Sequence, residues 1–187
     1  MNEFINHLQQ FTKLSDESKN DFVSKCKEFE YAKGHILIES GQVCNYIYYV
    51  KSGIGKVIYY KDGKEIIDWI SDEGAILSSV ISFLSRRPSL HVVKLLEPSK
   101  LIGIHYSDLE ELFHKHHDLE RMGRMLTTHA LIELQERINA MQFETAKQRY
   151  DNFLIRYPKC INRISLGDLA SYLGMTQVTL SRIRTQE

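Results

Sequence analysis

Residues 164–184 run ISLGDLASYLGMTQVTLSRIR, and the architecture turns on this stretch. Ser165 stands where an N-cap is wanted, and Asp168 falls in the first turn that follows. Leu166, Leu169, Ala170 and Leu173 give a first short helix its apolar side. Gly174 suits a tight turn and Thr176 is again a capping type. Val178, Leu180 and Ile183 then line a second helix. Two short helices separated by a three- or four-residue turn containing glycine form a helix-turn-helix unit. Upstream, Gln148–Tyr157 has helical character, and Pro158 ends it.

Charge supports a distinct role for this end. Residues 142–187 carry 7 Lys and Arg against 4 Asp and Glu, a net of +3, whereas residues 1–141 carry 17 against 20, a net of −3. The 187-residue chain is therefore neutral as a whole while its end is basic, a distribution that fits a nucleic-acid partner.

Immediately before this end, residues 118–142 contain no proline and one glycine, Gly123. Leu119, Met122, Leu126, Ala130, Leu134, Ile138 and Met141 recur at helical steps of 3 or 4 residues, and Met125, Leu131 and Ile132 widen the stripe. A helix of about 23 residues would extend about 35 Å, long for so small a protein. Such a stripe either packs on its own domain or pairs with its symmetry mate while linking two domains. Its mean spacing of about 3.67 residues does not demand a strict heptad seam.

The first half follows another rhythm. Phe4, Leu8 and Phe11 predict a short helix. Ser15 caps a second one, for which Phe22, Val23 and Cys26 supply the apolar side. From Tyr31 onward, Gly34, Gly41, Gly53, Gly55, Gly63 and Gly74 punctuate runs rich in Ile, Val and Tyr. These are His35–Ile38, Tyr46–Val50, Lys56–Tyr60 and Ile66–Ile70, then Leu90–Leu96 and Leu101–Ile104. Short strands at this spacing predict a compact antiparallel barrel or sandwich, with Asp62-Gly63 as a hairpin turn. Ser107 and Glu110 form a capping box for a helix over 107–117.

Several classes are excluded. No run approaches the roughly 18 apolar residues of a membrane span, and residues 1–10 lack a signal-peptide pattern, so the expectation is a cytoplasmic protein. Cys26, Cys44 and Cys160 are too scattered for a disulfide framework or a closed zinc site. His114, His116 and His117 point in adjacent helical directions and cannot share an ion. They and His129 are expected at the surface or a dimer edge, and no metal is predicted. Asp68, Asp72 and Glu73 form an acidic patch, and Ser78-Ser79 are candidate exposed hydroxyls. None lies in a nucleophile-elbow, zinc-protease, P-loop or dinucleotide motif. No catalytic residue is predicted, and the chain is not expected to be an enzyme.

The order of short helices, β-roll, long helix and helix-turn-helix resembles the Crp/Fnr superfamily of bacterial transcription regulators. Residues Ile164–Thr176 resemble the first helix and turn of that family's DNA reader, and Gln177–Arg184 its recognition helix. Lys33-Gly34, Glu39-Ser40-Gly41 and Tyr48 to Gly53 look like the opening turns of its cyclic-nucleotide-binding fold. The resemblance implies an α+β protein. An N-terminal antiparallel β-roll of jelly-roll type would occupy residues 1–117, a dimerisation helix 118–142, and a helix-turn-helix domain of winged-helix type 143–187. Its wing would be absent or truncated, because Glu187 follows Arg184 by three residues. It further implies a homodimer, paired through the stripe from Leu119 to Met141, that reads double-stranded DNA at half-sites about 34–36 Å apart. A contact with RNA polymerase is left open.

Within that resemblance, Gln177 and Arg182 are the candidate base readers, since Gln pairs with adenine and Arg with guanine. Thr176 and Thr179 are assigned to phosphates, Ser181 and Arg184 border the DNA, and Lys159 and Arg163 reach the backbone. The effector site departs from the nucleotide-binding pattern. Ser78-Ser79 stand in place of Gly-Glu, and Pro88-Ser89 in place of Arg followed by Ser or Thr, with Arg86 and Arg87 before the proline. A phosphate there lacks its guanidinium partner. The expected pocket of Ser78, Ser79, Arg87 and Ser89 would thus exclude cyclic AMP and cyclic GMP. No cofactor is predicted, and another small-molecule effector remains open. The alternative reading is a non-catalytic ligand-binding or protein-interaction module whose helix-turn-helix has lost specific DNA binding.

Overall fold

The computed structural model describes residues 1–185. Helices α1 (Asn2–Gln9) and α2 (Asp16–Lys25) open the chain, and the Ser15 hydroxyl caps α2 by accepting the Ser18 N–H at 3.1 Å. The strands β1 (Lys27–Tyr31), β2 (Ile36–Ile38), β3 (Tyr46–Ser52), β4 (Gly55–Lys61), β5 (Lys64–Ser71), β6 (Ile76–Leu77), β7 (Val92–Leu95) and β8 (Ser99–His105) follow. A short helix, α3 (Val80–Ser85), lies between β6 and β7. Two four-stranded antiparallel sheets result, ordered β1-β8-β3-β6 and β2-β7-β4-β5. This is the expected roll.

The β4–β5 hairpin forms where Asp62-Gly63 predicts it. Asp62 has φ 52° and Gly63 φ 72°, the paired left-handed conformations of a type I′ turn. Further along, Val57 pairs with Trp69 but Ile58 pairs with Ile67, so Asp68 bulges out. The bulge lets Ile67 and Ile70 enter the same core cluster as Ile54 and Ile58.

Two strands and a helix lie outside the predicted runs. Strand β1 reads KEFEY, in which Phe29 and Tyr31 alternate with charge, so its apolar content is too thin to stand out. Strand β6 has two residues, and α3 has six. Helix α4 spans Tyr106–Lys115, and its N-cap is His105, whose side chain accepts the Ser107 N–H, rather than Ser107 itself. The chain breaks at His116 before α5 (His117–Phe143), a helix of 27 residues and about 40 Å. His116 is buried with Nε2 2.8 Å from Asp21 Oδ2, which corrects its expected surface position. The C-terminal helices are α6 (Ala146–Arg156), α7 (Leu166–Tyr172) and α8 (Gln177–Thr185). Between β8 and Thr185 the described residues hold no strand.

The stripe on α5 divides. Leu119 is 0% exposed and Met122 2%, and both belong to a core cluster with Phe4, Leu8, Phe22, Tyr49 and Ile102, against which Leu126 also packs. The assignment of Leu119 and Met122 to a dimer seam is corrected: they fasten α5 to its own roll. Leu134, Ile138 and Met141 stay exposed, together with Leu131 and Ile132, and Ala130 is exposed as well.

Candidate nucleic-acid interface and effector cavity

The C-terminal helices have a buried side and an open one. Leu169, Ala170, Leu173, Leu180 and Ile183 join Tyr150, Phe153 and Tyr157 in one cluster. Ser165 Oγ accepts the Asp168 N–H at 3.0 Å to start α7. Gly174, with φ 65°, makes the turn where a Cβ would strike the Met141 thioether. Thr176 Oγ1 accepts the Thr179 N–H at 3.1 Å to start α8. The cap also brings Thr176 Oγ1 within 2.9 Å of Thr179 Oγ1, so these hydroxyls already bond each other.

Burying Leu180 and Ile183 turns Gln177, Val178, Ser181, Arg182 and Arg184 to the surface. Among the described residues neither Arg182 nor Arg184 forms an ion pair. Gln177 and Arg182 are five positions apart, about 500° around the axis, and so diverge by about 140°. The Gln177 amide also lies over Gly167 of α7, where a Cβ would come 3.0 Å from its Nε2. The two candidate readers therefore occupy different faces, Gln177 at the mouth of the turn and Arg182 along the helix.

The domain is fastened to the β2-β7-β4-β5 sheet of the roll. Ile54, Ile58, Ile67, Ile70 and Val92 share the apolar cluster of the C-terminal helices. Polar ties surround it. Lys56, itself buried, places Nζ 2.7 Å from Asp168 Oδ1 and 2.8 Å from Glu65 Oε2. Burial alone would depress the Lys56 pKa, but the bonds to Asp168 and Glu65 outweigh it and the pKa rises. Ser171 Oγ accepts the Ile67 N–H at 3.0 Å.

Arg163 joins this latch. Its guanidinium binds Glu73, with Nη2 to Oε1 at 2.6 Å and Nη1 to Oε2 at 3.0 Å, and also pairs with Glu97. The Arg163 bond, helped by the Gly53 N–H at 2.8 Å, holds the Glu73 pKa down at about 2 against the opposing effect of burial. Arg163 is thus committed to the roll, a correction to its expected role as a free backbone contact, and Glu73, one of the three residues of the supposed acidic patch, is its partner. Lys159 is exposed. Proximity of Arg163 to Glu73, 90 residues apart, had no local signal in the sequence.

The expected effector residues do not converge as one pocket. Ser79 and Ser89 are buried and bond each other, Oγ to Oγ, at 2.8 Å. Ser78 is buried and donates to the Tyr46 carbonyl at 3.1 Å, so the pair Ser78-Ser79 is not exposed as expected. Arg87 is exposed. Arg86 turns onto the Tyr106 ring at 3.9 Å and donates to the Cys44 carbonyl and Asn45 Oδ1. A cavity of about 300 Å³ does open inside the roll, lined by Gln42, Cys44, Tyr46, Tyr48, Ser78 and His105 among others. No Lys, Arg, Asp or Glu lines it. For a metal, Glu17, Asp21 and His116 are the one group of ligand atoms that converges among the described residues. There Lys115 Nζ already sits 2.5 Å from Asp21 and supplies the cation. No helix among the described residues is long and apolar enough to cross a membrane.

A β-roll that holds a cavity, a long helix at its base and a helix-turn-helix beyond it together make up the architecture. Residues 28–116 match the cyclic nucleotide-binding domain family, and the whole chain has the fold of Crp/Fnr-type regulators. FixK2 from Bradyrhizobium japonicum superposes with a TM-score of 0.75 at 20% identity, covering 86% of this chain and 83% of that one. The c-di-GMP-responsive global regulator CLP of Xanthomonas campestris gives 0.68 at 17% identity, over 92% and 91%. The Thermus thermophilus catabolite activator protein gives 0.60 at 19% identity, over 96% and 85%. No curated protein matches the chain significantly in sequence.

Proposed function

We propose that the protein is a homodimeric, sequence-specific DNA-binding transcription regulator whose roll does not respond to cyclic AMP or cyclic GMP. The observation that carries the reading is the outer face of α8. Among the described residues Arg182 and Arg184 form no ion pair, and they stand exposed on a helix anchored by Leu180 and Ile183. Arginines free of carboxylates on such a face suit phosphates and guanine edges. The exposed apolar positions from Leu131 to Met141 supply a reason to dimerise, and two heads are what a short recognition helix needs for affinity. Against a cyclic nucleotide stands the roll cavity, whose lining offers a phosphate no Lys or Arg, while the Ser79 and Ser89 hydroxyls bond each other.

The test is in-vitro selection of duplex DNA by the full chain at fixed salt. Enrichment of a pseudo-palindrome with half-sites about one helical turn apart is expected. No enrichment, with weak binding unchanged in Arg182→Ala, would instead favour a ligand-binding or interaction module. Calorimetric titration with cyclic AMP and cyclic GMP should show no site tighter than about 100 µM.

A further inference from the structure

We infer that the cavity where α5, β5 and the C-terminal helices meet binds a planar aromatic monoanion. It measures about 480 Å³, larger than the cavity inside the roll and within the range of about 300–1,000 Å³ usual for small-molecule sites. Its walls are flat π surfaces from three separate elements: Trp69 of β5, Tyr172 of α7 and Tyr157 just after α6. Arg137 stacks over Tyr172 at 4.1 Å, and Arg156 lies 5.7 Å from the Trp69 ring. Rings and guanidinium planes of this kind take a planar guest between them.

The charge of the guest follows from the charges already matched. Arg156 is paired with Glu133. Arg137 and Arg149, both half-buried, meet no carboxylate among the described residues and donate to main-chain oxygens. Arg137 reaches the Tyr172 carbonyl at 3.0 Å, and Arg149 reaches those of Leu173 and Glu144 at 2.7 and 2.6 Å. Against these two cations stands one half-buried carboxylate, Glu144, held by Asn152 at 3.1 Å. Glu136 also lines the cavity but is exposed and solvated. One positive charge is left over in a partly dry site, where a charge-assisted bond to an anion is strongest. Neither this site nor its guest belongs to the roll cavity. Because α5, β5 and α7 all line it, the guest would brace the joint that orients α8.

Trp69 is the only tryptophan in the chain, so its single indole N–H resonance in a ¹⁵N-labelled sample reports on this cavity alone. Titration uses 2-naphthoate, the neutral 2-naphthamide and acetate as probes. Naphthoate should move the resonance saturably with a dissociation constant below about 1 mM, and naphthamide should bind at least about tenfold more weakly. Acetate should leave the resonance in place. Arg137→Gln should weaken naphthoate at least about fivefold. Arg149→Gln gives a second measurement of the same loss should Arg137→Gln fail to fold. Absence of a saturable shift, equal affinity for the amide, or affinity unchanged in both variants would overturn the proposal. The assay contains no DNA, so its outcome is independent of whether α8 reads bases.

Discussion

The two halves of α5 carry the same apolar stripe to opposite ends. In the first half Leu119 and Met122 are sealed against α1, α2 and the roll. In the second half Leu131 is 63% exposed, and Leu134 and Ile138 are open as well. Helical periodicity says that a face is apolar, not what covers it. What separates the halves is the neighbour. The buried cluster of the roll and its two leading helices ends near Leu126, and beyond that point α5 meets them only through side contacts such as Phe11 with His129 and Arg137 with the Ile67 carbonyl. The first half is core, and the second half is where we place the dimer contact.

That contrast can be broken directly. Leu119→Ala removes a fully buried side chain and should cost about 2–5 kcal/mol in urea unfolding, with the sedimentation behaviour of the folded protein unchanged. Leu134→Glu with Ile138→Glu should do the reverse. The fold keeps its stability within about 0.5 kcal/mol per exposed site, while association weakens by about 2 kcal/mol or more, shifting sedimentation from dimer to monomer. A monomeric wild type, or an unaltered dimer in the double variant, would dissolve the distinction.

The same division separates committed charge from free charge in the C-terminal helices. Arg182→Ala should cost about 1–3 kcal/mol on a selected operator and relax preference at one base position. Arg163 should behave otherwise, because Glu73 and Glu97 hold it. Glu73 titrates near 2 in the fold against an ordinary 4.5, so its contribution is complete above about pH 4.5 and is lost as pH falls through 2. Arg163→Ala should flatten the pH dependence of the urea midpoint within that window and leave the salt dependence of DNA binding alone. The smallest effect is assigned to Lys159→Ala, which should lower the salt slope by about one unit on every duplex tested. Equal slope changes for Lys159 and Arg163 would show that the latch opens on DNA.

Much of the fold was legible because its signals are local. Asp62-Gly63, Ser15, Ser165 and Thr176 each act within four residues of themselves, and each does what its chemistry dictates. The failures are the long-range pairings. His116 meets Asp21 across 95 residues, and Lys56 meets Asp168 across 112. Ser78 and Ser79 look like free hydroxyls until the roll closes and each finds a partner inside it. The candidate readers on α8 were visible as residues, but their divergence in direction matters only once Leu180 and Ile183 define the buried side. Nothing in the order of residues announced that Trp69, Arg137 and Tyr172 would meet.

The bulge at Asp68 makes β5 sensitive to where its length changes. Side chains on a strand alternate faces, and the one extra residue lets Ile67 and Ile70 both look toward the C-terminal helices. Exchanging Asp68 for another residue leaves the count intact. Deleting it would close the bulge into a regular strand in which Ile67 stands two positions before Ile70, so Ile67 keeps its place opposite Ile58 and Glu65 its place near Lys56. Exchange or loss of Asp68 therefore keeps the phase, whereas deleting Ile66 or Ile67 would set Asp68 opposite Ile58 and turn a charge into the core that joins the two halves of the protein.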